Sequence, residues 1–125
     1  INGQRRAAEK LLDMGAKAAL VKGGHVPGDV IVDVLATERG EHFFDGPRIV
    51  TKATHGTGCT LASGIATGLA RGLVLVDAVA LARAYLVEAI TRAPGFGAGN
   101  WPVDHGWPSR DPEAFQMMFA KWRPA

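Results

Sequence analysis

Between Ala53 and Gly64 the sequence reads Ala-Thr-His-Gly-Thr-Gly-Cys-Thr-Leu-Ala-Ser-Gly, so that Gly56 and Gly58 flank Thr57 directly ahead of small, helix-compatible residues. Such a loop brings several backbone N–H groups to one point at the start of a helix. Glycine permits the close approach and the unusual φ values, and a helix start leaves unpaired donors and a positive dipole end. Together these predict an anion site, with phosphate the commonest biological candidate. The one cysteine of the chain, Cys59, sits on that helix start.

At 125 residues the chain has the size of one ordinary domain. Hydrophobic content of 47% with 21% charged residues is that of a globular chain and excludes a disordered one. The net charge of +2 arises from 14 basic and 12 acidic residues spread along the sequence. It demands neither nucleic acid nor a membrane as partner; Arg5-Arg6 is the only basic pair and reads as a solvated helix face. No apolar run approaches the roughly 20 residues needed to span a bilayer, and no signal peptide is recognisable. A single cysteine cannot form an internal disulfide, so a reducing cytoplasm is the expected compartment. The first residue is Ile1 and the first pattern is already a helix, from which a fragment of a longer chain is expected.

Residues 4–14 carry Ala7, Ala8, Leu11, Leu12 and Met14 at helical spacing, with Gly15 where a helix end favours a left-handed residue. Ala18-Ala19-Leu20-Val21 is an uninterrupted apolar run, expected as a central strand covered on both faces, and it ends in Lys22-Gly23-Gly24-His25. A β-branched stretch, Val30 to Leu35, is followed by a turn at Glu38-Arg39-Gly40. Glu41 to Phe44 and Arg48 to Val50 read as further strands around an Asp45-Gly46-Pro47 turn. This predicts an antiparallel meander that leads to the glycine loop. After the loop a helix is expected from about 59 to 70, with Leu61, Ile65 and Leu69 as its stripe. Ala62, Gly64, Ala66 and Gly68 would let another element pack closely. A second helix spans about 75 to 92, burying Ala78, Val79, Ala82, Tyr85, Leu86, Ala89 and Ile90, with Glu88 and Arg92 ordered as an i, i+4 pair. Residues 94–110, rich in Gly, Pro and Trp, read as a loop or linker, and Pro112 to Trp122 as a terminal helix with Pro112 in its first turn.

A loop of this kind can hold a phosphoryl group during transfer, because fixed backbone donors stabilise the charge on its equatorial oxygens. The proton of the attacking hydroxyl then needs an acceptor. Cys59 is placed for that role, since a helix N-terminus favours the thiolate; the rival reading is a small buried cysteine that only packs. Neither G-x-x-x-x-G-K-[ST] nor a strand followed by G-x-G-x-x-G occurs. Gly95-Phe96-Gly97-Ala98-Gly99 lacks a following helix pattern and reads as a flexible loop. Lys22, beside two glycines at a strand end, is a candidate to reach a phosphate, or an exposed structural lysine. Histidines 25, 42, 55 and 105 lack metal-ligand spacing, and one cysteine argues against structural zinc. His42 reads as a solvent-facing strand residue; His25 and His55 adjoin glycine loops and are candidates to line the site.

Three strings now acquire a joint meaning: Val21-Lys22-Gly23-Gly24-His25, Thr54-His55-Gly56-Thr57-Gly58-Cys59-Thr60-Leu61, and Gly95 to His105 with Pro102-Val103-Asp104-His105. Together they resemble the carboxyl-terminal half of the hydroxymethylpyrimidine/phosphomethylpyrimidine kinases of thiamine biosynthesis, in the ribokinase superfamily. The resemblance covers residue 1 to about 106. It implies an α/β, ribokinase-like three-layer α/β/α sandwich, of which this is the carboxyl-terminal part with a small antiparallel meander. Residues 1–106 would belong to the kinase domain, and 107–125 to a tail with a terminal helix. The implied activity is ATP-dependent phosphorylation of the hydroxymethyl group of an aminopyrimidine and then of its monophosphate. Carried over by position, Gly56, Thr57 and Gly58 with the Cys59 amide form the anion hole, and Cys59 is the candidate base. Lys22 approaches the nucleotide phosphates, with Gly24, His25, Thr54 and His55 as further nucleotide-side candidates. Cysteine where most ribokinase relatives carry aspartate points to the pyrimidine kinases over sugar kinases and pyridoxal kinases. Such kinases use ATP and Mg2+, and their amino-terminal half supplies most of the pyrimidine pocket and the acidic residues that organise magnesium. The run Gly97-Ala98-Gly99-Asn100-Trp101-Pro102 departs from the family's glycine-histidine-glycine-proline by carrying Asn-Trp before Pro102. The isolated chain is expected not to turn over, and to associate through exposed apolar surface, either with itself or with the missing half. The alternatives are a non-catalytic phosphate-binding fragment and a pyridoxal or hydroxyethylthiazole kinase.

Overall fold

The computed structural model describes residues 1–24 and 26–122. The chain divides into two compact units, Ile1–Ile49 and Val50–Ala125.

In the first unit, helix α1 (Asn2–Asp13) packs on a three-stranded antiparallel sheet of β1 (Ala18–Val21), β2 (Val30–Thr37) and β3 (Gly40–Pro47), in the order β1-β2-β3. The helix ends where expected, with Gly15 following at φ 111°. Its Ala8 is fully buried against Ala19 and Ala36, with Leu12 and Val21 at the margin. Gln4, on the same face, uses its amide to tie two strand ends together: Nε2 donates to the carbonyls of Val21 (3.2 Å) and Val32 (2.7 Å). Next to it, Asp33 is buried and its Oδ1 accepts the Gly23 amide at 2.9 Å. A Cβ on Gly23 would stand 2.1 Å from the Val32 carbonyl oxygen, so the close approach of the two backbones requires glycine there.

Two expectations for this unit are corrected. β1 forms an edge of the sheet among the described residues, and only Ala19 of its four residues is buried, because the returning β2 occupies one side alone. The predicted turn at Asp45-Gly46-Pro47 lies inside β3, and Arg48 to Val50 form no strand. The tight reversal at Glu38-Arg39 sets a register in which Thr37 faces Gly40 and Val30 faces Pro47, so eight pairs run straight through. Proline closes the ladder at its last position, where no further amide is needed. His42 is exposed in β3, as its alternation with phenylalanine predicts. Beyond β3, the Arg48 guanidinium donates to the carbonyls of Gly28 (2.7 Å), Gly24 (2.8 Å) and Val26.

The second unit contains α2 (Thr57–Ala70), α3 (Leu75–Thr91), α4 (Trp107–Arg110) and α5 (Pro112–Phe119). Helices α2 and α3 pack through small residues: a Cβ on Gly64 would meet the Ala82 Cβ at 3.0 Å, and one on Gly68 the Ala78 Cβ at 3.0 Å. The buried residues of α2 are Thr60, Leu61 and Gly68, with Gly64 half-buried at the contact, so the Leu61-Ile65-Leu69 stripe is not the buried face and Leu69 is 46% exposed. Close helix approach outweighs side-chain size here, since interlocked backbones exclude the larger residues from the contact. In α3, Ala78, Val79, Ala82 and Ala89 are buried as expected, while Tyr85, Leu86 and Ile90 are half-buried. Exposed apolar side chains include Phe43 in the first unit and Val50 in the second.

The segment read as a loop or linker is organised by Trp107, which is fully buried against Ala89 and Val103. Its Nε1 donates to the Tyr85 carbonyl at 3.3 Å, and Phe115 meets its ring edge-on at a centroid distance of 5.8 Å. Arg92 covers the ring at 4.9 Å while pairing with Glu88 (2.8 Å) and Asp111 (3.0 Å). Asp111 also caps α5 by accepting the Ala114 amide at 3.2 Å, which is why the terminal helix starts at Pro112. That cap and the Arg92 guanidinium hold the Asp111 carboxyl below the usual range; Arg110 does the same for Asp104.

Three outcomes follow from this packing. Gly23→Ala forces two backbones apart and costs about 1–3 kcal/mol, read as a lower urea midpoint by circular dichroism; an unchanged midpoint contradicts the close approach. Trp107→Ala costs about 3–5 kcal/mol and removes amide protection from α5 before α2. Both aspartates have folded pKa values below the ordinary 3.8, so their stabilisation is present above that value and is lost as pH falls through the depressed ones. Tryptophan fluorescence should therefore report loosening around Trp107 only at acid pH, and Asp111→Asn should remove part of that dependence.

Candidate active site

The loop enters α2 through Gly56, the residue before the first helical turn, at φ 80° and ψ 12°. A side chain there would be strained by the left-handed backbone. The first helical bond runs from the Thr60 amide to the Gly56 carbonyl at 2.9 Å. The amides of Thr57, Gly58 and Cys59 precede that bond and have no partner within the helix. Ala53, fully buried, anchors the approach, while Thr54 and His55 are exposed; the Thr57 hydroxyl points back to the Thr54 carbonyl at 3.4 Å. Cys59 is a free, exposed thiol. It is not held as a buried packing residue.

The segment 101–105 is fastened to this loop on both sides. On the approach, the Trp101 amide donates to the Lys52 carbonyl (2.6 Å), the His55 amide donates to the Trp101 carbonyl (3.1 Å), and His55 and Pro102 form an isolated parallel bridge. The Lys52 ammonium lies 5.9 Å from the centre of the Trp101 ring. The tryptophan that departs from the family's run thus has a structural task. On the helix side, His105 Nε2 lies 2.9 Å from the Thr60 hydroxyl, which itself donates to the Gly56 carbonyl at 2.7 Å. The Tyr85 hydroxyl donates to the His105 carbonyl at 2.6 Å, and burial followed by the nearby Asp104 charge raises that phenol's pKa.

A cleft of about 800 Å³ opens along this face of α2. His55, Gly56 and Cys59 line it at the helix start, Ser63 and Thr67 continue it, and Arg71 closes it at the far end with its guanidinium 5.4 Å from the centre of the Phe119 ring. Tyr85 and Leu81 of α3, His105, and Phe115, Gln116 and Phe119 of α5 form the opposite walls. The uncapped start of α2 and an exposed sulfur therefore adjoin one largely apolar cavity. That arrangement suits a ligand with a phosphate end and an apolar body.

Of the residues singled out in the sequence, His55, Gly56 and Cys59 meet in this cleft, with Thr54, Thr57 and Gly58 in the adjoining turn. Lys22 and Gly24 belong to the first unit: Lys22 follows β1 as an exposed side chain, and the Gly24 carbonyl is taken by Arg48. His25 lies outside the described residues. Among the described residues no three His, Cys, Asp or Glu side chains cluster to hold a metal ion. Sequence reasoning missed Thr60, Tyr85 and the α5 wall, and assigned His105 no task. The signal available for His105 was the Pro102-Val103-Asp104-His105 string itself. No helix is long and apolar enough to cross a membrane among the described residues.

Comparison with known proteins places this geometry. The family profile described as phosphomethylpyrimidine kinase matches residues 1–104. A hydroxymethylpyrimidine/phosphomethylpyrimidine kinase of Streptomyces coelicolor is 50% identical over 103 residues, covering 82% of this chain and 38% of the relative. A thiamine biosynthesis bifunctional protein of Geobacter sulfurreducens is 48% identical over 101 residues, covering 81% of this chain and 21% of that protein. The chain thus spans well under half the length of the relatives it matches. Among solved structures, the Staphylococcus aureus pyridoxal kinase in complex with AMP-PCP and pyridoxal superposes with a TM-score of 0.82 at 28% identity, over 88% of this chain and 41% of that one. An ADP complex of Bacillus subtilis pyridoxal kinase gives 0.81 at 25% identity, over 89% and 43%. These likenesses give the chain an α/β, ribokinase-like fold, and the match over residues 1–104 shows that it belongs to the phosphomethylpyrimidine kinase family.

Proposed function

We propose that this chain carries the phosphoryl-holding part of a kinase that transfers the γ-phosphoryl group of ATP to 4-amino-5-hydroxymethyl-2-methylpyrimidine and to its monophosphate, in thiamine biosynthesis. The observation that carries the proposal is the left-handed Gly56 ahead of α2, with no side-chain cap on its first turn and with the exposed Cys59 beside Gly56 in the cleft lining. The substrate hydroxyl oxygen attacks the γ-phosphorus while the bond to the β-phosphate oxygen breaks and ADP leaves. Cys59 acts as its thiolate, taking the hydroxyl proton and ending as the neutral thiol. The three amides meet the charge on the equatorial oxygens without reorganising. His55 and Thr54 flank the phosphates, and Lys22 and Gly24 are assigned to the nucleotide side. Magnesium bound with the nucleotide would neutralise phosphate charge; no three His, Cys, Asp or Glu side chains cluster to hold it among the described residues, and the acidic residues that would organise it are assigned to the amino-terminal half of the kinase. Pyridoxal is the second substrate reading, favoured by the likeness to the pyridoxal kinase structures. The higher identity to pyrimidine kinases supports the first.

The chain assayed alone should not turn over. Joined to the amino-terminal part of the Streptomyces coelicolor relative, it should phosphorylate hydroxymethylpyrimidine in preference to pyridoxal and hydroxyethylthiazole. In that chimera Cys59→Ala should lower kcat by a factor of about 10²–10⁴ with little change in the KM for ATP. Turnover by Cys59→Ala at the unsubstituted rate removes the cysteine from its role as base, and a preference for pyridoxal moves the assignment to the second reading.

A further inference from the structure

The hydrogen-bond relay from His105 through Thr60 to Gly56 lies outside the roles assigned so far. A threonine hydroxyl has one proton, and the Thr60 hydroxyl stands 2.7 Å from the Gly56 carbonyl, an acceptor alone. For both contacts of that hydroxyl to be hydrogen bonds, the imidazole nitrogen 2.9 Å away has to donate, so the relay requires the Nε2–H form of His105 giving its hydrogen to Thr60 Oγ1. The Gly56 carbonyl also receives the Thr60 amide at 2.9 Å, so the residue whose backbone turns the chain into α2 is gripped by two donors of Thr60. The grip is referenced outside the helix. The Tyr85 hydroxyl fixes the His105 backbone at 2.6 Å, and the same 101–105 segment fixes His55 on the other side of the loop.

We propose that His105 is a positioning residue for the anion loop, acting through Thr60 on the Gly56 carbonyl and so on the direction of the Thr57–Cys59 amides. The proposal rests on the reading of that loop as the phosphate holder. Cleft contacts alone do not require it, because the Thr60 amide would hold Gly56 in helical geometry without any imidazole. What His105 adds is a fixed hydroxyl rotor. It prevents the Thr60 hydroxyl from turning away from Gly56, and keeps the left-handed residue from relaxing when an anion draws on the amides behind it. The neighbouring Thr57 hydroxyl, with only a 3.4 Å contact to Thr54, offers no such restraint.

The test is a double-mutant cycle on ATP affinity with the 125-residue chain, read from backbone amide shifts of Gly56–Cys59, together with ¹⁵N NMR of the His105 ring. The ring nitrogens should report the Nε2–H tautomer, and Thr60→Val should shift the Nε2 resonance. His105→Ala and Thr60→Val should each weaken ATP binding about five- to tenfold, and the double variant no further, because both break one relay. His105→Gln, whose amide nitrogen stands near the position of Nε2, should restore affinity to within about twofold, whereas His105→Asn, which is too short, should not. An Nδ1–H tautomer, unchanged affinities in the single variants, or additive losses would each overturn the proposal while leaving the loop as phosphate holder. Absence of any ATP-dependent shift at Gly56–Cys59 in the unsubstituted chain would overturn the anion-loop reading itself, and the positioning role with it.

Discussion

One glycine in the left-handed region governs the second unit. Gly56 at φ 80° lets an extended approach, held by a bridge from His55 to Pro102, turn directly into α2 with no capping side chain. A Ser, Thr or Asp cap would place an oxygen on the first-turn amides and satisfy them internally. Here no side chain caps the helix, so the amides of Thr57, Gly58 and Cys59 are left without a capping oxygen. That lost cap costs stability, and the proposed phosphate site would use the donors it leaves.

The rest of the unit serves to keep that turn in place. Glycines at 64 and 68 bring α2 close enough to α3 for backbone and Ala78 or Ala82 to touch, which fixes the helix axis. Trp107 then locks the chain that follows α3: its ring fills the space between Ala89 and Val103, Phe115 meets its edge and Arg92 covers it. The consequence for the site is indirect but strong. With Trp107 seated, His105 is brought to Thr60 and α5 is brought to the cleft, where Phe115 and Phe119 supply an apolar wall. α5 lies beyond residue 104, where the family match ends, so this wall is a property of the present chain rather than of the matched segment.

The elements with strong local signals were legible in the sequence: α1 from its apolar spacing, α3 from seventeen uninterrupted helical residues, and the helix start at Gly56-Thr57-Gly58. What was not legible depends on partners distant in the chain. The Asp45-Gly46-Pro47 triplet has turn composition, yet pairing with β2 over eight positions carries it as strand. The Leu61-Ile65-Leu69 stripe follows helical spacing, but a glycine face that nests against α3 offers closer contact than leucines do. Residues 94–110 look like linker by composition, and no local rule announces that Trp107 would be wholly buried. The site was half legible. Cys59 and its glycines declare themselves by type and spacing, whereas Thr60 and His105 are ordinary residues 45 positions apart whose roles exist only once the chain has folded.

Cys59 is the only cysteine in the chain, so its chemistry can be followed without ambiguity. The most direct measurement is the rate at which iodoacetamide alkylates this thiol with and without millimolar ATP, followed by mass spectrometry. If the amides beside it hold the nucleotide's terminal phosphate, ATP and inorganic phosphate should slow the modification, and adenosine should not. Equal rates in ATP, phosphate and adenosine would mean that no phosphoryl group rests at this helix start.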